Sequence, residues 1–111
     1  MTGRLAGLGL ALWLCGSLPA RADPADGLDP ATRQYYDTAV QAEAEGRWKR
    51  AATAWRLVLG RDPAFSPAAL GLARCLKEQG DTAGAIGYYQ KFLELDPGNA
   101  SVKQKIDALT R

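Results

Sequence analysis

Three basic side chains are the first candidates for chemistry in this sequence. Arg74 and Lys77 are three positions apart, so on a helix they share one face. With Lys105 they would form a basic strip suited to an acidic or carboxylate-bearing peptide. The alternative is a solvated helix face partly neutralised by Glu78, since isolated surface charges contribute little. Tyr36 offers either an aromatic anchor for a partner or an intrachain contact with Val40 on the next turn. Groups for covalent or metal chemistry are scarce. The 111 residues include no histidine, the usual general base near neutral pH and the commonest metal ligand. Glu43 and Glu45 are two apart and do not face one another on a helix. The acidic residues lack metal-ligand spacing, and no glycine-rich phosphate loop follows a strand. The expectation is a protein that is not an enzyme and has no catalytic residues, cofactor or metal site.

The N-terminus reads as an address. Arg4 supplies a positive start, and the uncharged run from Leu5 to Leu18 follows. Pro19 breaks that run, and Ala20-Arg21-Ala22 places small residues at the two positions a signal peptidase reads. Residues 1–22 are therefore expected to be a cleaved signal peptide, with cleavage after Ala22 and a periplasmic or secreted product. The rival is a membrane anchor, but the apolar run is about 14 residues against the roughly 20 a spanning helix needs. Lipidation at Cys15 is disfavoured because Leu14 stands where a small residue is wanted. Loss of Cys15 leaves Cys75 without an intrachain partner. In an oxidising compartment a lone exposed thiol is a liability, so Cys75 is expected in the core, with an interchain disulfide as the alternative.

Bulk composition excludes several further classes. Apolar types make up 47% and charged types 23%, which is ordinary for a foldable chain. Removing residues 1–22 takes away Arg4 and Arg21 and leaves 12 basic residues against 12 acidic ones. A mature chain without net charge has no long-range pull toward nucleic acid or an anionic membrane. Arg47, Lys49, Arg50, Arg56 and Arg61 avoid the apolar stripe of their segment and read as a solvated outer face.

The elements that must position the basic strip come from an internal repeat. Gly46 pairs with Gly80, Ala51 with Ala85, Trp55 with Tyr89, Val58 with Phe92, Leu59 with Leu93, and Asp62-Pro63 with Asp96-Pro97. Each pair is 34 apart, a helical-hairpin period. Asp29 and Pro30 suit the N-cap and first turn of a helix that runs to about Glu45 and stops at Gly46. Trp48, Ala51, Trp55, Val58 and Leu59 stripe a second helix, which Asp62-Pro63 terminates. Ser66 as N-cap and Pro67 behind it open a third, carrying Leu72 and Leu76 and ending at Gly80. Asp81 caps a fourth, striped by Ala85, Ile86, Tyr89, Phe92 and Leu93. A fifth, Ser101 to Thr110, places Val102, Ile106 and Leu109 on one side and reads as a polar-backed cap. Ala51 and Ala85 are expected where the helices of a hairpin cross closely, with Trp55 and Tyr89 filling the wedge.

These residues resemble the tetratricopeptide repeat (TPR) family over residues 32–99, most closely in the second repeat, from Leu72-Ala73 through Leu95-Asp96-Pro97. The first repeat departs at Thr38, where the family prefers a large apolar residue, and the second at Ala69, where it prefers an aromatic. The resemblance implies an all-α superhelix: a flexible lead-in at 23–31, repeats at 32–65 and 66–99, and a capping helix at 100–111. It implies a concave groove lined by Arg33, Tyr36, Val40 and Glu43, by Leu70, Arg74, Lys77 and Glu78, and by Ser101, Gln104 and Lys105. Chaperone-binding members clamp a C-terminal carboxylate, but Tyr36, Val40 and Gly71 occupy three of the clamp positions, so that activity is not expected. The functional expectation is a non-catalytic scaffold that binds a protein or peptide, without nucleic acid and without stable membrane insertion. The alternative is a self-assembling or accessory subunit of a cell-envelope complex, because two repeats make a small core that would gain from forming a homo-oligomer.

Overall fold

The computed structural model describes residues 24–111. The expected signal peptide and its expected cleavage point lie outside the described residues. Five helices follow one another: α1 (Pro30–Ala44), α2 (Trp48–Arg61), α3 (Ser66–Glu78), α4 (Thr82–Leu95) and α5 (Ala100–Thr110). No strand occurs among the described residues. α1 packs on α2 and α3 on α4 as two hairpins, α2 packs on α3 to stack them, and α5 covers α4. This is the all-α superhelix that the repeat implies. None of the described helices is long and apolar enough to cross a membrane.

The repeated turn residues build repeated geometry. Gly46 and Gly80 have φ of 72° and 87°, a left-handed conformation that a Cβ disfavours. Around each glycine two backbone bonds close the end of the helix. Arg47 N donates to Ala42 O at 2.8 Å and Gly46 N to Glu43 O at 3.0 Å. Asp81 N donates to Leu76 O at 2.9 Å and Gly80 N to Lys77 O at 3.0 Å. Both sets satisfy carbonyls that a helix end would leave bare. Asp62 (φ −139°, ψ 86°) and Asp96 (φ −140°, ψ 76°) are extended, as the residue before a proline must be, and end α2 and α4.

The helix starts are less uniform. Asp29, Asp81 and Asn99 accept bonds from the backbone N–H groups of Thr32, Gly84 and Val102. Ser66 is not the expected N-cap: it is the first residue of α3, and Phe65 precedes it with no side-chain cap. α5 begins at Ala100, one residue before the expected Ser101, because Asn99 supplies the cap. Residues 24–27, in the stretch expected as a flexible lead-in, form a 3-10 turn whose Ala25 is fully buried against α1.

The core joins all five helices. Ala51, Val58 and Ala85 have no exposed surface, Trp55 keeps 2%, Tyr89 1% and Phe92 6%, so the expected interlocking positions are interior. Thr38 is half-buried, and Ala69, in the position where the family prefers an aromatic, is fully buried. Gly71 is buried against the Trp55 indole; a Cβ built there would lie 2.6 Å from Nε1. That close approach brings α2 and α3 together, and it leaves Trp55 Nε1 buried without a hydrogen-bond partner.

Candidate interaction groove

α1, α3 and α5 carry the residues expected to line a groove, and two surface hollows form along them. One, of about 460 Å³, is lined by Glu43, Ala44, Trp48, Arg74, Lys77 and Glu78. The other, of about 110 Å³, is lined by Lys77, Tyr89, Lys105, Ala108 and Leu109. Lys77 belongs to both, so the hollows are consecutive along one face. The hairpin geometry explains the position. The helix-ending turns at Gly46 and Gly80 place Trp48 beside the end of α1 and Lys77 at the end of α3.

Arg74 does not stand free in a basic strip. Its Nε and Nη2 donate to the two carboxylate oxygens of Glu43 at 3.1 and 2.9 Å, a two-point pair that ties α1 to α3. The Glu43 side chain is 15% exposed and the Arg74 side chain 42%, so this contact is better shielded than the pairs of the outer surface. Burial works against the Arg74 charge, but the Glu43 hydrogen bonds and negative charge outweigh it and leave the guanidinium pKa above its ordinary value. The neutralising partner expected in the same helix, Glu78, is replaced by Glu43 across the repeat boundary. A sequence signal existed: Lys77 is the repeat equivalent of Glu43, and Arg74 lies one turn before it on the neighbouring helix.

Cys75 sits beneath this pair, fully buried, with Sγ 3.8 Å from Glu43 Oε1. Burial first, then the neighbouring Glu43 carboxylate, pushes the thiol up to about 12, against the smaller opposing pull of Arg74. A thiol held in this form and without exposed surface is a poor nucleophile and is badly placed to bridge a second chain. Its expected place in the core is correct. Tyr89, on the neighbouring α4, feels the same Arg74 charge. Its hydroxyl is also raised, by burial first, with Arg74 opposing and Glu78 assisting.

The remaining expected groove residues are divided. Tyr36 is half-buried and meets Trp55 and Phe65 edge to face, with ring centroids 5.4 and 5.8 Å away. It is thus tied into the aromatic core, and the Val40 beside it is 44% exposed. Leu70 is half-buried against the core. Arg33 pairs with Asp26 at 3.6 Å and with Asp37 at 3.5 Å, which draws it toward the 3-10 turn. Ser101, Gln104 and Lys105 are exposed on α5, and of these Lys105 lines the smaller hollow. Sequence reasoning placed Trp48 and Tyr89 only in the core stripe. Each also borders a hollow, because a wedge residue between helices has an edge that reaches their common surface. Ala44 and Ala108 carried no signal, being small residues on polar faces.

The outer face of α2 keeps Arg47, Lys49, Arg50, Arg56 and Arg61 exposed, as expected. Arg61 has a structural task there. Its Nε donates to Thr32 Oγ1 at 2.7 Å and its Nη2 to Asp29 Oδ2 at 3.1 Å, joining the end of α2 to the start of α1.

No curated protein matches the chain as a relative. A family model described as tetratricopeptide repeat matches residues 36–100, more than half of the sequence and all of α2, α3 and α4. Repeats of this family generally mediate protein–protein interaction and are typically non-catalytic scaffolds. With two stacked hairpins, matched turn glycines and a closing helix in place, the chain belongs to the tetratricopeptide repeat family.

Proposed function

We propose that this protein is an exported, non-catalytic binding module that docks a peptide or partner subunit in the groove of α1, α3 and α5. The observation that carries the reading is the pair of consecutive hollows meeting at Lys77, on the face formed by the first helix of each hairpin and the closing helix. Export is supported by the sequence pattern from Arg4 to Ala22. The absence of histidine and the buried, protonated Cys75 support a role without covalent chemistry. The test is photocrosslinking in cells that express the full chain, with the reactive group at Val40 or Lys77 and, as control, at Arg56 on the outer face. Capture of the same protein from both groove positions and not from Arg56 is expected. Capture from Arg56 alone, or from none of the three, rules the reading out.

A further inference from the structure

We propose that the closing-helix end of the groove selects partner segments that carry an acidic side chain next to an apolar one. The inference rests on the binding role proposed above and names the chemistry of its partner. The decisive feature is how charge is distributed along the groove. At the α1 end, the Arg74 guanidinium is paired with both oxygens of Glu43, so the two charges largely offset one another. At the α5 end the balance differs. Lys77 and Lys105 come from different helices and border the same hollow, whose other walls are Tyr89, Ala108 and Leu109. No carboxylate lines that hollow, and neither lysine has an ion-pair partner among the described residues.

Two lysines bordering a mostly apolar hollow favour a ligand with matching parts. An ammonium beside a low-dielectric wall attracts a carboxylate more strongly than one facing open water. The side chains of Ala108 and Leu109 offer a non-polar contact that an adjacent apolar side chain would bury. Glu78 borders the larger hollow beyond Lys77 and would repel a second acidic residue placed there. The preferred segment therefore carries its charge at the α5 end and not along its whole length.

The experiment is selection of random dodecapeptides displayed on phage against the full mature chain, with a Lys77→Gln/Lys105→Gln double variant in parallel. Enrichment of sequences pairing Asp or Glu with an apolar neighbour is expected. Their synthetic versions should bind the double variant about tenfold more weakly and should weaken in raised salt. Retained circular dichroism and melting temperature in the double variant, both lysines being exposed, would tie the loss to recognition. Enriched peptides without an acidic excess, or acidic peptides that bind the double variant equally well, would overturn this inference and leave the binding role standing. Enrichment of no peptide on either protein would remove both.

Discussion

The two hairpins share a turn chemistry but not an environment. α1 buries only Thr32, Ala39 and Ala42, whereas α3 buries Ala68, Ala69, Gly71, Leu72, Ala73, Cys75 and Leu76. The equivalent helices differ because α3 packs extensively on both α2 and α4, while α1 packs extensively on α2 and only lightly on the short 3-10 turn. An end helix cannot satisfy itself by apolar burial alone. α1 is held by polar devices instead: the Asp29–Thr32–Arg61 cluster at its start and the Glu43–Arg74 pair near its end. The second helices differ in a similar way. Asp81 caps α4 with a bond to Gly84 N at 2.9 Å, and its repeat equivalent Arg47 makes no side-chain cap on α2. Equal positions in a repeat thus take their role from the neighbour that covers them.

The largest test of this contrast is the wedge position. Trp55→Ala should cost about 3–5 kcal/mol, as large aromatic deletions in cores do, and Tyr89→Ala should fall in the same range. Chemical denaturation followed by circular dichroism measures both, and an unchanged midpoint for Trp55→Ala would mean that the indole is not the joint between hairpins. Gly71→Ala comes next, at about 1–3 kcal/mol, because its new methyl group would press on that indole. Combining it with Trp55→Phe, which shrinks the ring and removes the orphaned N–H, should recover part of the loss. Strict additivity of the two changes would contradict the close approach.

The caps supply a smaller pair of tests. Asp81→Ala should destabilise by about 1 kcal/mol, and Arg47→Asp, which gives α2 the cap that α4 has, should stabilise by about 0.5–1 kcal/mol. A loss of stability in Arg47→Asp would show that the Arg47–Glu45 contact at 3.3 Å outweighs a cap there. The smallest effect is a pH dependence. The Thr32 hydroxyl bond first, with smaller contributions from the Thr32 N–H and from Arg61, holds the Asp29 carboxyl below its ordinary value, against the opposing effect of desolvation, which is second in size. A carboxylate with a depressed folded pKa stabilises above its unfolded value. That contribution disappears as pH falls through the folded one. Asp29→Asn should therefore be less stable than the parent near neutrality and should approach it in acid. Melting temperatures that run parallel across that range would exclude the effect.

Much of this was legible because it is local. Gly46 and Gly80 had to end helices, since only glycine takes that backbone angle without strain. Asp62 and Asp96 had to leave the helix, because the following proline clashes with a helical neighbour. The 34-residue spacing of Ala51 with Ala85 and of Trp55 with Tyr89 then made a stack of hairpins the arrangement that buries all four. The start of α3 was misplaced by one residue for a related reason. Ser66 has capping chemistry, but the backbone of Phe65 was already extended enough to take that position.

The sequence by itself determined where helices end and, to within one residue, where they begin, which positions interlock and which faces are polar, because backbone sterics and hydrophobic periodicity act over a few residues. Only the tertiary structure decided that Arg74 belongs to Glu43, that Tyr36 rests on Trp55 and Phe65, and that Lys77 and Lys105 border one hollow. These pairings join side chains up to 31 residues apart, and their partners depend on the angle at which one hairpin sits on the next. At that joint Trp55 fits so closely on Gly71 that no side chain could be added there without a shift, a contact that no local rule contains.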